Sequence, residues 1–283
     1  MAGVLIIGNG WIGNRLLDKF PDMRMSTEIF ETTKQIGAML EREEPDAVIN
    51  CAGVTGSPNV DWCETHQVET AVGNAQFPVM LAQACAERGT HLTHLGSGCI
   101  FYGTPPQPEG WKEYDYANPV AYYSKTKYAA DLVLGGMENV AVVRLKLPID
   151  RIPSKKNTVT KLAGYPKVVE VVNSVTVMDD LLDVFRAVAD KRAQGIFHAV
   201  HPEPLAWRDL MRWYEEIVDP SHTCEFVSEE SLMAQGAIQK QRSSTVLANT
   251  RLAEFGIHMR PTEVAVKEAL VKYKLSLDAN PSS

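Results

Sequence analysis

The sequence has no C-x-x-C pair, no apolar run of membrane-spanning length, no internal repeat and no excess of positive charge, and each absence removes a class of protein. Five cysteines, at 51, 63, 85, 99 and 224, leave one unpaired under any disulfide scheme, which points to a reducing, cytoplasmic setting. The first apolar run is short, soon broken by glycine and preceded by no basic region, so no signal peptide is expected, and no membrane span follows. Lysine and arginine total 28 against 35 acidic residues, a net charge of -7, so nucleic acid is not expected as the main partner. A phosphorylated small molecule stays open, because backbone donors and one or two basic residues suffice to hold one. His91 and His94, like His198 and His201, are three apart in strand-like segments with no acid or cysteine to complete a set, and no metal is expected.

What is present is an alternation of short aliphatic runs with helical stretches. Val4-Leu-Ile-Ile7 leads through Gly8-Asn-Gly10-Trp11-Ile12-Gly13 into a helical pattern reaching Phe20. Further strands are expected at 23–26, 46–53, 91–95, 140–145, 167–172 and 195–200, and helices at 32–42, 64–88, 121–134 and 178–190. Strands separated by helices of this length predict a parallel, doubly wound α/β sheet of Rossmann type. Residues 1–150 are expected to form a dinucleotide-binding core with a return strand near 195–200, and 151–283 mainly a smaller substrate lobe over the strand ends.

Gly8-x-Gly10-x-x-Gly13 follows a strand and opens a helix, the setting in which such glycines bind a dinucleotide rather than form an ordinary turn. Glu28 lies where a ribose-binding acid favours NADH, while Arg24 favours the extra phosphate of NADPH, and the sequence leaves the two open. In the helix 121–134, residues one turn apart face each other, so Tyr122 meets Thr126 and Tyr123 meets Lys127. A cation beside a phenol lowers its pKa, making Tyr123 a candidate tuned acid, although a surface helix with an aromatic over a lysine stem shows the same spacing. Ser97, just past a strand, adds a hydroxyl.

Ser97 with Tyr123-Ser-Lys-Thr-Lys127 resembles the extended short-chain dehydrogenase/reductase family. The runs 51–64, 98–101, 123–127 and 173–176 are similar to those of bifunctional UDP-4-keto-6-deoxyglucose 3,5-epimerase/4-reductases and, more distantly, of dTDP-4-dehydrorhamnose reductases. The glycine turn is one residue shorter than the G-x-x-G-x-x-G usual in those relatives. The resemblance implies that Tyr123 donates a proton to a carbonyl oxygen, Ser97 hydrogen-bonds it, and Lys127 tunes the phenol and holds the nicotinamide ribose. It places Gly8, Gly10, Trp11, Ile12, Gly13, Cys51, Ala52 and Gly53 with Tyr123 and Lys127 around NADPH or NADH, and Asn173 against the substrate. It assigns Cys99 and Lys161 to the epimerase base and acid; a buried thiol and a solvated helix charge are the alternatives. Cys99 is expected on the same side of an extended segment as Ser97. Arg242 is the candidate for the sugar-nucleotide pyrophosphate, with an exposed arginine as the competing reading. The expected activity converts a UDP-4-keto-6-deoxy-hexose to UDP-L-rhamnose in a chain that can form a homodimer. A monofunctional 4-ketoreductase and a non-catalytic nucleotide-binding regulatory subunit are the rivals.

Overall fold

The computed structural model describes residues 3–57, 59–235 and 243–279. Strand β1 (Val4–Ile7) leads through the glycine turn to helix α1 (Trp11–Lys19), and β2 (Arg24–Ser26) is followed by α2 (Thr33–Glu43). Thr32 caps α2 reciprocally with Gln35, which explains where that helix starts. Next come β3 (Ala47–Asn50), a 3-10 turn Val60–Glu64, α3 (Gln67–Ala71), α4 (Phe77–Ala86), β4 (His91–Ser97), a 3-10 turn Gly98–Ile100, α5 (Tyr122–Leu134) and β5 (Val140–Leu145).

The single helix expected over 64–88 is interrupted. Between α3 and α4 the backbone makes a π turn, Val72–Gln76, immediately before Pro78, whose ring has no N–H to give and crowds the carbonyl four residues back. The expected strand 46–53 stops at Asn50, where the side chain begins to bond the following loop. Ser97 is the last residue of β4 rather than a residue beyond it, and Cys99 lies in the 3-10 turn, not in an extended segment.

Beyond β5 come β6 (Pro148–Ile149), α6 (Thr158–Ala163), β7 (Lys167–Val169), β8 (Val172–Asn173) and β9 (Thr176–Val177), so the strand expected at 167–172 is two short ones. Helix α7 (Met178–Asp190) returns the chain to β10 (Gly195–His198); β11 (Leu205–Ala206), α8 (Trp207–Ile217), β12 (Glu225–Val227), α9 (Glu229–Ala234) and α10 (Thr262–Ala279) follow.

Six strands form one parallel sheet in the order β10-β5-β4-β3-β1-β2. Alternation along β1 sends Leu5 and Ile7 to one face, with Ile36 of α2, Leu81 of α4 and Leu134 of α5. Val4 and Ile6 go to the other, with Leu16 of α1 and Leu181 and Phe185 of α7. With both faces covered, water reaches the sheet only at its ends, and β1 lies at the switch point, flanked by β2 and β3. A separate cluster, including Val159, Leu210, Trp213 and Tyr273, forms the core of the C-terminal lobe.

The seam between α1 and the later chain holds a buried ion pair. Arg15, 5% exposed, donates from Nε and Nη2 to the Asp150 carboxylate, 1% exposed, at 3.0 and 3.2 Å, and also reaches Asp179 of α7 at 3.4 Å. Arg15→Met is expected to destabilise the protein by about 3–5 kcal/mol, because Asp150 is left charged and unpaired out of water. Arg15→Met with Asp150→Leu should recover most of that loss, as chemical denaturation of the two variants will show.

Candidate active site

The C-terminal ends of β1 and β3 meet at the glycine turn. Gly8 has φ +101°, and a side chain there would lie 2.5 Å from the Ala52 nitrogen. A Cβ on Gly13 would sit 2.0 Å from the Gly8 carbonyl oxygen, so both positions require glycine for closeness of backbone. Gly10 is different: nothing lies within 4 Å of its absent Cβ. It is the N-cap of α1 without a side-chain cap, so the first N–H groups of the helix, at Trp11, Ile12 and Gly13, face an open concavity suited to a pyrophosphate. Cys51, Ala52 and Gly53 form the adjoining wall. A dinucleotide fits this cradle.

Two strands away, about 10 Å along the sheet at ordinary strand spacing, β4 ends in Ser97. Helix α5 begins at Tyr122, which puts Tyr123 and Lys127 one turn apart, as the sequence predicts. Ser97 stands beside the Tyr123 phenol and accepts the Cys99 N–H at 3.2 Å. The Cys99 carbonyl in turn accepts from Ser124 Oγ at 2.7 Å, which fastens the 3-10 turn to α5.

The electrostatics differ from expectation. The phenol of Tyr123 is pushed above its ordinary pKa, chiefly by burial and next by the neighbouring Cys99 side chain, with Ser97 opposing. Lys127 lies one turn further along the same helix. Its side chain, 4% exposed, runs to β4, where Nζ donates to the Leu95 carbonyl at 2.6 Å and lies 3.1 Å from His94 Nε2. Burial brings Lys127 itself down to about 8, with Asp131 pulling the other way.

Ser97, Cys99, Tyr123 and Lys127 are thus brought together. Lys161 lies on the exposed side of α6, which is capped by Asn157. Asn173 is buried, and its carboxamide oxygen accepts the Thr245 N–H at 3.0 Å, giving it the work of fixing the segment 243–247 over the strand ends. Arg242 lies outside the described residues. Arg24, at the first residue of β2, is engaged by Glu43 at 2.8 Å; the guanidinium that pairs with Glu28 is Arg42.

Three residues escaped sequence reasoning. Lys146 is wholly buried, donates to the Ser243 carbonyl and Oγ at 2.7 and 2.9 Å, and lies near enough to Cys99 for the thiolate to favour its charge. Asn50 ends an otherwise apolar strand, whereas His94 shares β4 with the polar His91, Thr93 and Ser97 and is not marked out by the sequence.

A model of the RmlD substrate binding domain family matches residues 4–275. The chain belongs to that family. It is 36% identical over 283 residues to the bifunctional dTDP-4-dehydrorhamnose 3,5-epimerase/dTDP-4-dehydrorhamnose reductase of Arabidopsis thaliana, covering 95% of this chain and 91% of the relative. It is 32% identical to a trifunctional UDP-glucose 4,6-dehydratase/UDP-4-keto-6-deoxy-D-glucose 3,5-epimerase/UDP-4-keto-L-rhamnose-reductase of the same plant, covering 95% of this chain and spanning 41% of that enzyme. Among solved structures, the UDP-rhamnose synthase of Acanthamoeba polyphaga mimivirus shares the fold with a TM-score of 0.88 at 24% identity, over 95% of this chain and 99% of that one. The chain thus carries the family's fold.

The glycines make separable demands. Gly13→Ala is expected to cost about 3 kcal/mol of stability, because backbone must move to admit the methyl group. Gly10→Ala should leave the melting temperature unchanged yet weaken NADPH binding at least about tenfold, or ~1.4 kcal/mol, by filling the concavity. Thermal denaturation and fluorescence titration of the two variants check both.

Proposed function

We propose that this chain is an NAD(P)H-dependent enzyme that epimerises a UDP-4-keto-6-deoxy-hexose at C3 and C5 and reduces its C4 carbonyl, yielding UDP-L-rhamnose. The observation that carries the reading is the grouping of Ser97, Tyr123 and Lys127 at the sheet edge that also holds the glycine cradle. The relatives named above support the substrate class, and a regulatory role has no use for a buried lysine one turn from a buried phenol.

A bound reduced nicotinamide supplies the hydride. The protein's part is protonic and electrostatic. Because burial holds Tyr123 above its ordinary pKa, the phenol stays protonated at neutral pH and is a stocked donor for the alkoxide that develops at C4. Ser97 hydrogen-bonds the same oxygen and orients it. A cationic Lys127 beside them stabilises the phenolate left after transfer.

Epimerisation requires removal of the hydrogens that the 4-keto group acidifies and their return from the opposite face. Cys99, part-exposed in its turn beside Tyr123, is positioned to take a proton as thiolate. Lys146 is too deeply buried to reach a sugar and stands near Cys99, while Lys161, on the exposed side of α6, is the lysine we assign to the returning proton.

Incubation of the purified protein with UDP-4-keto-6-deoxyglucose and either NADPH or NADH, followed by identification of the sugar, tests the whole reading: UDP-L-rhamnose is expected, and an unreduced sugar with both cofactors overturns it. Tyr123→Phe should lower kcat for reduction by ~10²- to ~10⁴-fold while cofactor binding survives.

The two chemistries should separate. Cys99→Ala is expected to reduce a pre-epimerised 4-keto sugar but to incorporate no deuterium at C3 and C5 in heavy water. Exchange at the wild-type rate would return the chain to a simple reductase. Lys161→Met should spare that reduction and slow net inversion.

A further inference from the structure

From a chain of buried hydrogen bonds whose directions fix one another, we infer that Asn50 and His94 are positioning residues that bias Lys127 toward its neutral amine and thereby set the upper pH limit of carbonyl reduction. The inference rests on the reading of Lys127 as a group that works as a cation beside Tyr123.

The chain begins at the cofactor loop. The Ala52 N–H can only donate, and it lies 3.0 Å from Asn50 Oδ1, so the carboxamide is oriented with its NH2 toward β4. Asn50 Nδ2 lies 3.0 Å from His94 Nδ1, which must therefore accept. A neutral imidazole with a lone pair on Nδ1 carries its hydrogen on Nε2. That N–H points at Lys127 Nζ, 3.1 Å away. An ammonium has three hydrogens and no lone pair, so two donors would face each other; an amine accepts from His94 and still donates to the Leu95 carbonyl at 2.6 Å. Every member is satisfied only if Lys127 is uncharged.

His94 and Asn50 are wholly buried, so water offers no substitute partner. Burial keeps His94 neutral, well below its ordinary pKa, and Lys127 reinforces this whenever it is charged. The titratable groups around Nζ are Cys51 at the end of β3, His94 on β4, and Tyr123 and Asp131 on its own helix, with Arg144 of β5 bonded to Asp131 at 2.7 Å. Cys63 and Cys99 stand by Tyr123, and the Cys51 thiol is pushed up to about 12 by burial. Asp131 favours the ammonium; the His94 hydrogen bond and burial favour the amine. To become charged, Lys127 takes a proton from solvent onto Nζ and loses the bond it accepts from His94. Reduction that needs the cation is accordingly present below about 8 and falls as pH rises through it.

Two substitutions reverse the direction of the chain. Asn50→Asp keeps an acceptor for Ala52 but presents a carboxylate to His94 Nδ1, which then carries the hydrogen and leaves Nε2 free to accept from the ammonium. His94→Gln can turn its amide oxygen toward Nζ. In each, kcat/KM for reduction of a pre-epimerised UDP-4-keto sugar by NADPH, measured from pH ~6 to ~10, should retain activity to a pH roughly one unit higher than wild type, the worth of about one buried hydrogen bond. A residue that merely packs would lower activity evenly and leave the limb where it was. Alkaline limbs of both variants coincident with wild type overturn the inference. Lys127→Met is the separate control: if it reduces the sugar as wild type does, the reading of the lysine itself fails, whatever the limbs of the other two.

Discussion

Burying the Lys127 amine is the constraint on which the rest of the site is arranged. A lysine out of water needs partners on every hydrogen-bonding direction, and here they come from three strands and a helix: Leu95 and His94 on β4, Asn50 at the end of β3 behind His94, and Asp131 one turn along α5 with Arg144 of β5 behind it. Of these, Asn50, His94 and Arg144 are polar residues buried on strands. The same set ties the nucleotide loop, through the Ala52 N–H, to the helix that carries Tyr123. Cradle and acid are therefore parts of one network.

The parallel sheet makes that arrangement necessary. Its faces are sealed by α2, α4 and α5 on one side and α1 and α7 on the other, so backbone and side-chain polarity must gather at the strand ends. The glycine turn brings two of those ends within backbone contact, which leaves the anion-binding start of α1 open beside Gly10. The cofactor cradle and the acid lie along one edge because both are built at the C-terminal ends of the strands.

Late chain completes the site. Residues 243–247 cross back over the strand ends, held by Lys146 to Ser243, by Asn173 and Trp111 to Thr245, and by Ser174 to Leu247. Leu247 presses on Gly98, where any side chain would strike it, and so shapes the turn that presents Cys99. The position of the epimerase candidate thus depends on residues almost 150 positions downstream. Asn173 serves as a strut for that crossing segment.

What the sequence determined by itself is what short range determines. Apolar runs of four with glycine after the first, helical spacing of Tyr123 and Lys127, and the alternation of elements made the parallel sheet, the cradle and the Ser-Tyr-Lys grouping legible, because local sterics and a fixed helical period act over a few residues. The interrupted helix at Pro78 was legible in principle and missed, since its consequence falls on a carbonyl four residues earlier. Tertiary structure alone decided the signs of the electrostatics. Spacing shows that a cation stands beside a phenol, but whether the phenol's pKa falls or rises depends on burial, and burial depends on everything packed above it: the phenol rose, and the lysine fell to about 8. The partners of that lysine lie 32 and 33 residues away on another element, at distances along the chain where no periodicity carries information.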